Sequence, residues 1–168
     1  MVEEQLRLRG NSSQLRQLFT DAGIQYEVIK NLSVSGNYRY IIKPFRIDQR
    51  LYTDISYSWK KKNFKITPRI RLQHEFVKNN IANNYIRPKI EFEYKVTKTF
   101  KPFISGELFY HALYYKGSVF DEYRLSAGAS YDFNKKNSLK LFYLQQQQFN
   151  VNAAQQNHVL GVGYEYDL

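Results

Sequence analysis

Residues 86–96 read Ile86-Arg87-Pro88-Lys89-Ile90-Glu91-Phe92-Glu93-Tyr94-Lys95-Val96, and the alternation within this stretch decides the fold. Ile86, Ile90, Phe92, Tyr94 and Val96 fall on one face of an extended chain, and Arg87, Lys89, Glu91, Glu93 and Lys95 on the other. A period of two marks a strand whose faces meet different surroundings. Working outward, Phe64, Ile66, Ile70, Leu72 and Phe76 oppose Lys65, Arg69, Arg71, Gln73 and Glu75. Further on, Tyr123, Leu125, Ala127, Ala129, Tyr131 and Phe133 oppose Arg124, Ser126, Gly128, Ser130 and Asp132.

Turn signals divide the chain into ten expected strands: 2–9, 16–29, 32–43, 47–59, 64–77, 84–96, 100–114, 121–133, 138–149 and 156–168. The connections fall into two sets. Lys30-Asn31, Lys60-Lys61-Lys62-Asn63, Thr97-Lys98-Thr99 and Asn134-Lys135-Lys136-Asn137 are short and lysine-rich. Those at 10–13, 43–46, 78–83, 116–120 and 150–155 lengthen toward the C-terminus. The pattern is a series of long hairpins forming one domain, 1–168, with tight turns at one end and longer loops at the other. The apolar parity of strand 138–149 stays open, because Leu139, Leu141 and Tyr143 compete with Phe142 and Leu144. Pro68, Pro88 and Pro102 each remove a ladder donor. Pro88, nearest mid-strand, predicts a bulge or a locally missing hydrogen bond.

Composition narrows the class. The 168 residues carry 25 Lys and Arg against 15 Asp and Glu, a net charge of +10, with 15 Tyr, 12 Phe, one Trp and no Cys. No stretch approaches the roughly 20 apolar residues of a membrane helix. Without cysteine there is no disulfide framework, thiol nucleophile or thiolate metal site. Met1 to Gln5 show no secretory signal, so the expectation is a chain that is not exported or a mature form.

Two-faced strands build a soluble barrel with an apolar interior or a membrane barrel with a polar lumen. Three features favour the second. Arg7, Arg9, Arg39, Arg50, Arg69, Arg71, Arg87 and Arg124 lie on polar strand faces, whereas most lysines sit at turns; an enclosed space favours the guanidinium fork, which satisfies carboxylates without free water. Acids share that face, among them Asp21, Glu27, Asp54, Glu75, Glu91, Glu93, Glu107, Glu122, Asp132 and Glu165. Cross-strand pairing is expected to set Asp54 opposite Arg69 and Lys89 opposite Glu107. Finally, the apolar face ends in Tyr26, Tyr40, Tyr57, Trp59, Phe64, Tyr94, Phe100 and Phe133, rings suited to a membrane interface. On this reading Tyr and Phe form the lipid-facing surface.

Leu160, Val162, Tyr164, Tyr166 and Leu168 continue the alternation to the last residue, which resembles the terminal strand signal of bacterial outer-membrane barrels. Tyr164, Tyr166 and Leu168 would be its assembly signal, with Leu168 where an aromatic is usual. Asn37-Tyr38-Arg39-Tyr40, Pro68-Arg69-Ile70-Arg71-Leu72-Gln73, Tyr85-Ile86-Arg87-Pro88-Lys89, Pro102-Phe103-Ile104-Ser105-Gly106-Glu107-Leu108-Phe109 and Tyr123-Arg124-Leu125-Ser126-Ala127-Gly128 together resemble a domain-of-unknown-function family of outer-membrane β-barrels in Gram-negative bacteria. The resemblance implies fold and location and brings no catalytic residue.

The expectation is therefore an all-β, ten-stranded antiparallel up-and-down transmembrane barrel in the bacterial outer membrane, its termini and short turns periplasmic. Arg39, Arg50, Asp54, Arg69, Arg71, Glu75, Arg87, Lys89, Glu91, Glu93, Glu107 and Arg124 form a lumen charge network that largely fills the interior. Expected partners are outer-membrane lipid and lipopolysaccharide, the barrel-assembly machinery through the C-terminal strand, and other envelope proteins. No cofactor, metal or nucleic acid is expected. The leading functional reading is a structural or accessory envelope protein. Alternatives are a narrow channel, a lipid-modifying enzyme using His111 near Glu107 and Ser105 at the outer rim, and a soluble lipocalin-like binder. His74 and His158 share the apolar parity near the longer loops.

Overall fold

The computed structural model describes residues 2–9, 14–44, 46–76, 83–113 and 117–166. They form eleven strand segments: β1 (Val2–Arg9), β2 (Gln14–Ile29), β3 (Leu32–Lys43), β4 (Arg46–Tyr57), β5 (Trp59–Lys61), β6 (Phe64–Phe76), β7 (Asn83–Tyr94), β8 (Phe100–Ala112), β9 (Val119–Asp132), β10 (Asn137–Gln148) and β11 (Gln156–Tyr166). Segments β4 and β5 are one stave broken at Ser58, since both pair with β6 in a single register: Ser56 faces Arg69 and Trp59 faces Ile66. Ten staves pair antiparallel with their neighbours in sequence, and β11 returns to β1, with Tyr166 opposite Val2 and Leu160 opposite Leu8. Closure leaves no free edge, as a sheet crossing lipid requires.

The faces are inverted relative to a water-soluble core. Asp21, Arg39, Arg71, Glu75 and Arg87 are buried inside, while Ile24, Ile55, Ile70, Leu72, Phe92, Ile104 and Leu125 are exposed outside. This is the arrangement of a transmembrane barrel.

Proline explains where the ladder thins. Pro68 stays paired with Ile90 of β7, so its missing donor faces the other neighbour, at the Tyr57–Ser58 break. On the opposite side, the Ser58 amide continues the β3–β4 ladder by donating to the Asn31 carbonyl at 2.8 Å. Pro88 keeps its place opposite Ile70, and the gap again opens on the far side: β7 and β8 pair as far as Ile86 with Tyr110, then resume at Lys89 with Glu107 without a shift. Of the two outcomes expected there, the missing bond occurs and the bulge does not. The β7–β8 pairing ends at Glu93 with Phe103, just short of Pro102.

One expected pairing is displaced. Asp54 faces Arg71, not Arg69, because the hairpin turns on Lys62-Asn63, with Lys61 opposite Phe64 and Lys62 at φ 53°, rather than one residue earlier. The expected pairing of Lys89 with Glu107 is present in the register. The parity of β10 is resolved: Leu141 and Tyr143 point outward, and Phe142, Leu144 and Gln146 point inward. Inward Phe142 faces Gly161 on β11 and Gly128 on β9.

Candidate functional site

The lumen is built in levels, each from side chains that alternate inward. At mid-height, Arg39 Nε donates to both carboxylate oxygens of Asp21 at 2.7 and 2.8 Å. Arg71 grips Asp54 with two bonds of 2.7 Å. Arg69 lies 3.6 Å from Asp54 and 2.6 Å from Glu107, whose other oxygen accepts from Arg87 at 2.8 Å. Arg71, Asp54, Arg69, Glu107 and Arg87 thus form one unbroken chain of ion pairs across four staves. Alternating signs let each buried charge keep a partner, the condition for holding charges out of water.

Toward the longer loops, Arg50 reaches Glu75 at 3.1 Å, and Gln146 Nε2 donates to Glu122 at 2.6 Å, with Arg124 2.7 Å from the same carboxylate. A register shift between β8 and β9 sets Phe109 opposite Glu122 and Tyr110 opposite Phe120. The extra residue is Asp121, and Asp121 and Glu122 are both buried in consequence. Bulges re-aim side chains in this way. Asp121 meets His111 Nδ1 at 3.2 Å, and the His111 ring stacks on Tyr85 with centroids 4.4 Å apart. The expected grouping of His111 with Glu107 is not what forms: Glu107 is held between two arginines, and His111 turns to the bulge.

Toward the short turns, Lys89 bonds Glu91 at 2.8 Å, Lys140 lies 3.5 Å from the same carboxylate, and Lys101 pairs with Asp132. Glu93 lines a cavity of about 380 Å³ at this end. Above it lies a second cavity of about 220 Å³ at mid-height, and Lys140 and Glu165 border both. The mid-height space is lined by Arg39, Arg69, Arg71, Arg87, Arg124, Lys89 and Lys140 against Glu3, Glu107 and Glu165. The side chains of Arg7 and Arg9 lie outside the described residues.

Aromatic rings share the lumen, which corrects the reading of Tyr and Phe as wholly lipid-facing. Arg39 lies over the Phe19 ring at 3.8 Å, Arg71 over Tyr52 at 3.6 Å, Arg87 and Arg124 over Phe109 at 4.1 and 4.2 Å, and the Lys140 ammonium over Phe103 at 3.9 Å. These contacts hold the cations against the wall. The signal was present in parity: Phe19, Tyr52, Phe103 and Phe109 each stand two residues before an inward polar residue, Asp21, Asp54, Ser105 and His111.

On the outer surface Tyr26, Tyr40, Tyr57, Trp59, Phe64, Tyr94, Phe100 and Phe133 are all exposed, Trp59 at 45% and Phe133 at 58%. Phe64 and Tyr94 touch at 4.8 Å between centroids across β6 and β7. His74 bonds Asn84 at 2.8 Å, and His158 meets the Tyr143 hydroxyl. Of the proposed terminal signal, Tyr164 is exposed and bonds Asn137, Tyr166 closes the pairing with β1, and Leu168 lies outside the described residues.

The barrel superposes on outer-membrane porins. It matches the NanC porin with a TM-score of 0.63 at 10% identity, covering 100% of both chains. It matches the KdgM porin at 0.60 and 12% identity, over 99% of this chain and 98% of that one. A bacterial polysaccharide outer membrane secretin matches at 0.60 and 11% identity, over 99% of this chain and 64% of the other. At such identities the likeness is one of fold. A comparison with curated protein sequences gives no match. Residues 1–157 match the family described as Protein of unknown function (DUF2490), and the chain belongs to that family.

Proposed function

We propose that this barrel is a narrow pore of the bacterial outer membrane that favours anions. The observation that carries the reading is the mid-height cavity, which seven cationic side chains line against three acidic ones, while Asp21, Asp54, Glu91 and Glu122, which pair with these cations, do not line it. Cationic groups that front a narrow passage with low-dielectric walls, with part of their balancing acid set outside its lining, concentrate anions and repel cations. The arginines are held in place by carboxylates and rings, so the field is fixed and costs no rearrangement when a solute arrives.

The fold shared with porins supports a pore, and a KdgM porin in complex with disordered oligogalacturonate, a polyanion, supports the sign of the solute. Here the ion-pair chain from Arg71 to Arg87 runs along four adjacent staves beside a mid-height space of about 220 Å³, which favours small anions over polymer chains. An enzymatic rim is less well supported, because the acid expected beside His111 is engaged by Arg69 and Arg87. The same chain of ion pairs also suits a closed, structural barrel, and conductance separates the two.

The test is a planar-bilayer recording of the purified barrel under a KCl gradient. An anion-favouring pore shows discrete currents and a reversal potential displaced toward that of chloride. Silent membranes would favour the closed structural barrel, and a displacement toward potassium would refute the anion reading.

A further inference from the structure

We propose that the short-turn rim is a docking collar for the phosphate headgroups of anionic phospholipids. The inference rests on the barrel lying in a membrane, with its short-turn end at the periplasmic leaflet, but not on whether it conducts.

Lys30, Lys60, Lys61, Lys62, Lys95 and Lys98 are all exposed, and none has a carboxylate within ion-pair distance among the described residues. Lys135 and Lys136, also exposed, border the cavity at the same end. These residues occupy the junctions β2–β3, β5–β6, β7–β8 and β9–β10, every hairpin turn at this end of the barrel. The charge therefore forms a ring around the circumference. A ring matches a lipid leaflet, which surrounds the barrel on all sides, better than a globular partner, which would meet one patch.

Acids do little to cancel it. Glu27, exposed near Lys30, accepts from the Asn31 amide at 2.8 Å and keeps its charge, whereas Asp132 is taken by Lys101. Glu93 borders the inner cavity with Glu165, leaving Glu4 and Glu27 as the exposed acids at this end among the described residues, against eight exposed lysines. Immediately beside the lysines stand Tyr57, Trp59, Tyr94 and Phe133, exposed on the outer surface. Aromatic bodies at the edge of the hydrocarbon, with flexible ammonium groups just beyond, reach the level of lipid phosphates. An engaged lysine strengthens attraction to an anionic surface roughly five-fold.

Trp59 is the sole tryptophan and sits next to Lys60 and Lys61, so its fluorescence reports lipid chosen at the collar. The folded barrel is reconstituted in vesicles containing brominated phosphatidylglycerol or brominated phosphatidylcholine, and quenching is compared. The expected result is a preference for phosphatidylglycerol of about five-fold or more at low salt. It should fall toward unity near 1 M salt, where screening acts within about 3 Å. The combined Lys60→Gln, Lys61→Gln and Lys95→Gln variant should lose the preference while its quenching by phosphatidylcholine is unchanged; if that variant does not fold, the salt titration of the native chain decides alone. Equal quenching by both lipids at low salt overturns the collar while leaving the membrane reading intact. Absence of quenching by either overturns both.

Discussion

Replacing Gly161 by alanine tests how the lumen keeps its open space. The tip of the Phe142 ring lies over Gly161, so an added β-carbon would fall 2.2 Å from Cζ and 2.6 and 2.7 Å from the ε carbons. Carbons in contact sit about 3.5–4.0 Å apart, so the ring must retreat by roughly 1.3 Å or more. On its other flank, a β-carbon at Gly128 would fall 2.7 Å from Phe142 Cβ, leaving no slack along the wall. The free direction is the mid-height cavity, about 220 Å³, which Phe142 itself lines. Overpacking of this kind costs about 1–3 kcal/mol. The expected outcome for Gly161→Ala is a loss of that size in urea unfolding in detergent, followed by Trp59 fluorescence, together with a lower single-channel conductance. In a Phe142→Ala background, Gly161→Ala should cost almost nothing further and leave the conductance unchanged, giving a coupling energy of about 1–3 kcal/mol in the double-mutant cycle. Strictly additive effects, with coupling under about 0.5 kcal/mol, would show that the ring is not the obstacle and refute the reasoning.

Two further perturbations act on the ion-pair chain. Arg71→Ala strands Asp54 with only the more distant Arg69, and should cost about 3 kcal/mol, the lower end for breaking a buried pair; in the same unfolding assay Arg71→Lys should recover part of it, because one ammonium cannot replace a two-bond grip. Glu107→Gln removes the charge shared by Arg69 and Arg87, and should move the reversal potential further toward chloride while lowering stability; an unchanged potential would mean that these arginines do not set the field.

The fold was legible because every stave alternates, and ten staves of such length with arginine on the polar parity suit an enclosed lumen. What alternation hides is anything that changes by one or two residues. The hairpin at Lys62-Asn63 turns slightly later than the lysine run suggests, which moved Asp54 from Arg69 to Arg71. The bulge at Asp121 sends two successive acids inward, a break in period that the sequence 119–123 does not advertise. Strand β10 carries Phe142 and Leu144 inward because Gly128 and Gly161 leave room for a ring against the wall, and that information lies on two other strands. Phe19, Tyr52, Phe103 and Phe109 were read by hydrophobicity as outward, although a ring beneath a guanidinium is as well placed inside.

The pairing of Val2 with Tyr166 also has a bearing on the order in which the molecule assembles. Every other contact between staves joins neighbours in sequence, and those across the tight turns enclose only a few residues, whereas this one closes a loop of roughly 160 residues. Since loop entropy grows with the logarithm of length, bringing the two ends together costs about 3 kcal/mol more than closing a four-residue turn. Hairpins should therefore zip first into a curved open sheet, and the seam between first and last strands should form late, setting the rate. Until it does, two unpaired edges face each other across the gap. Whatever catalyses the insertion of this chain has its greatest leverage at that step.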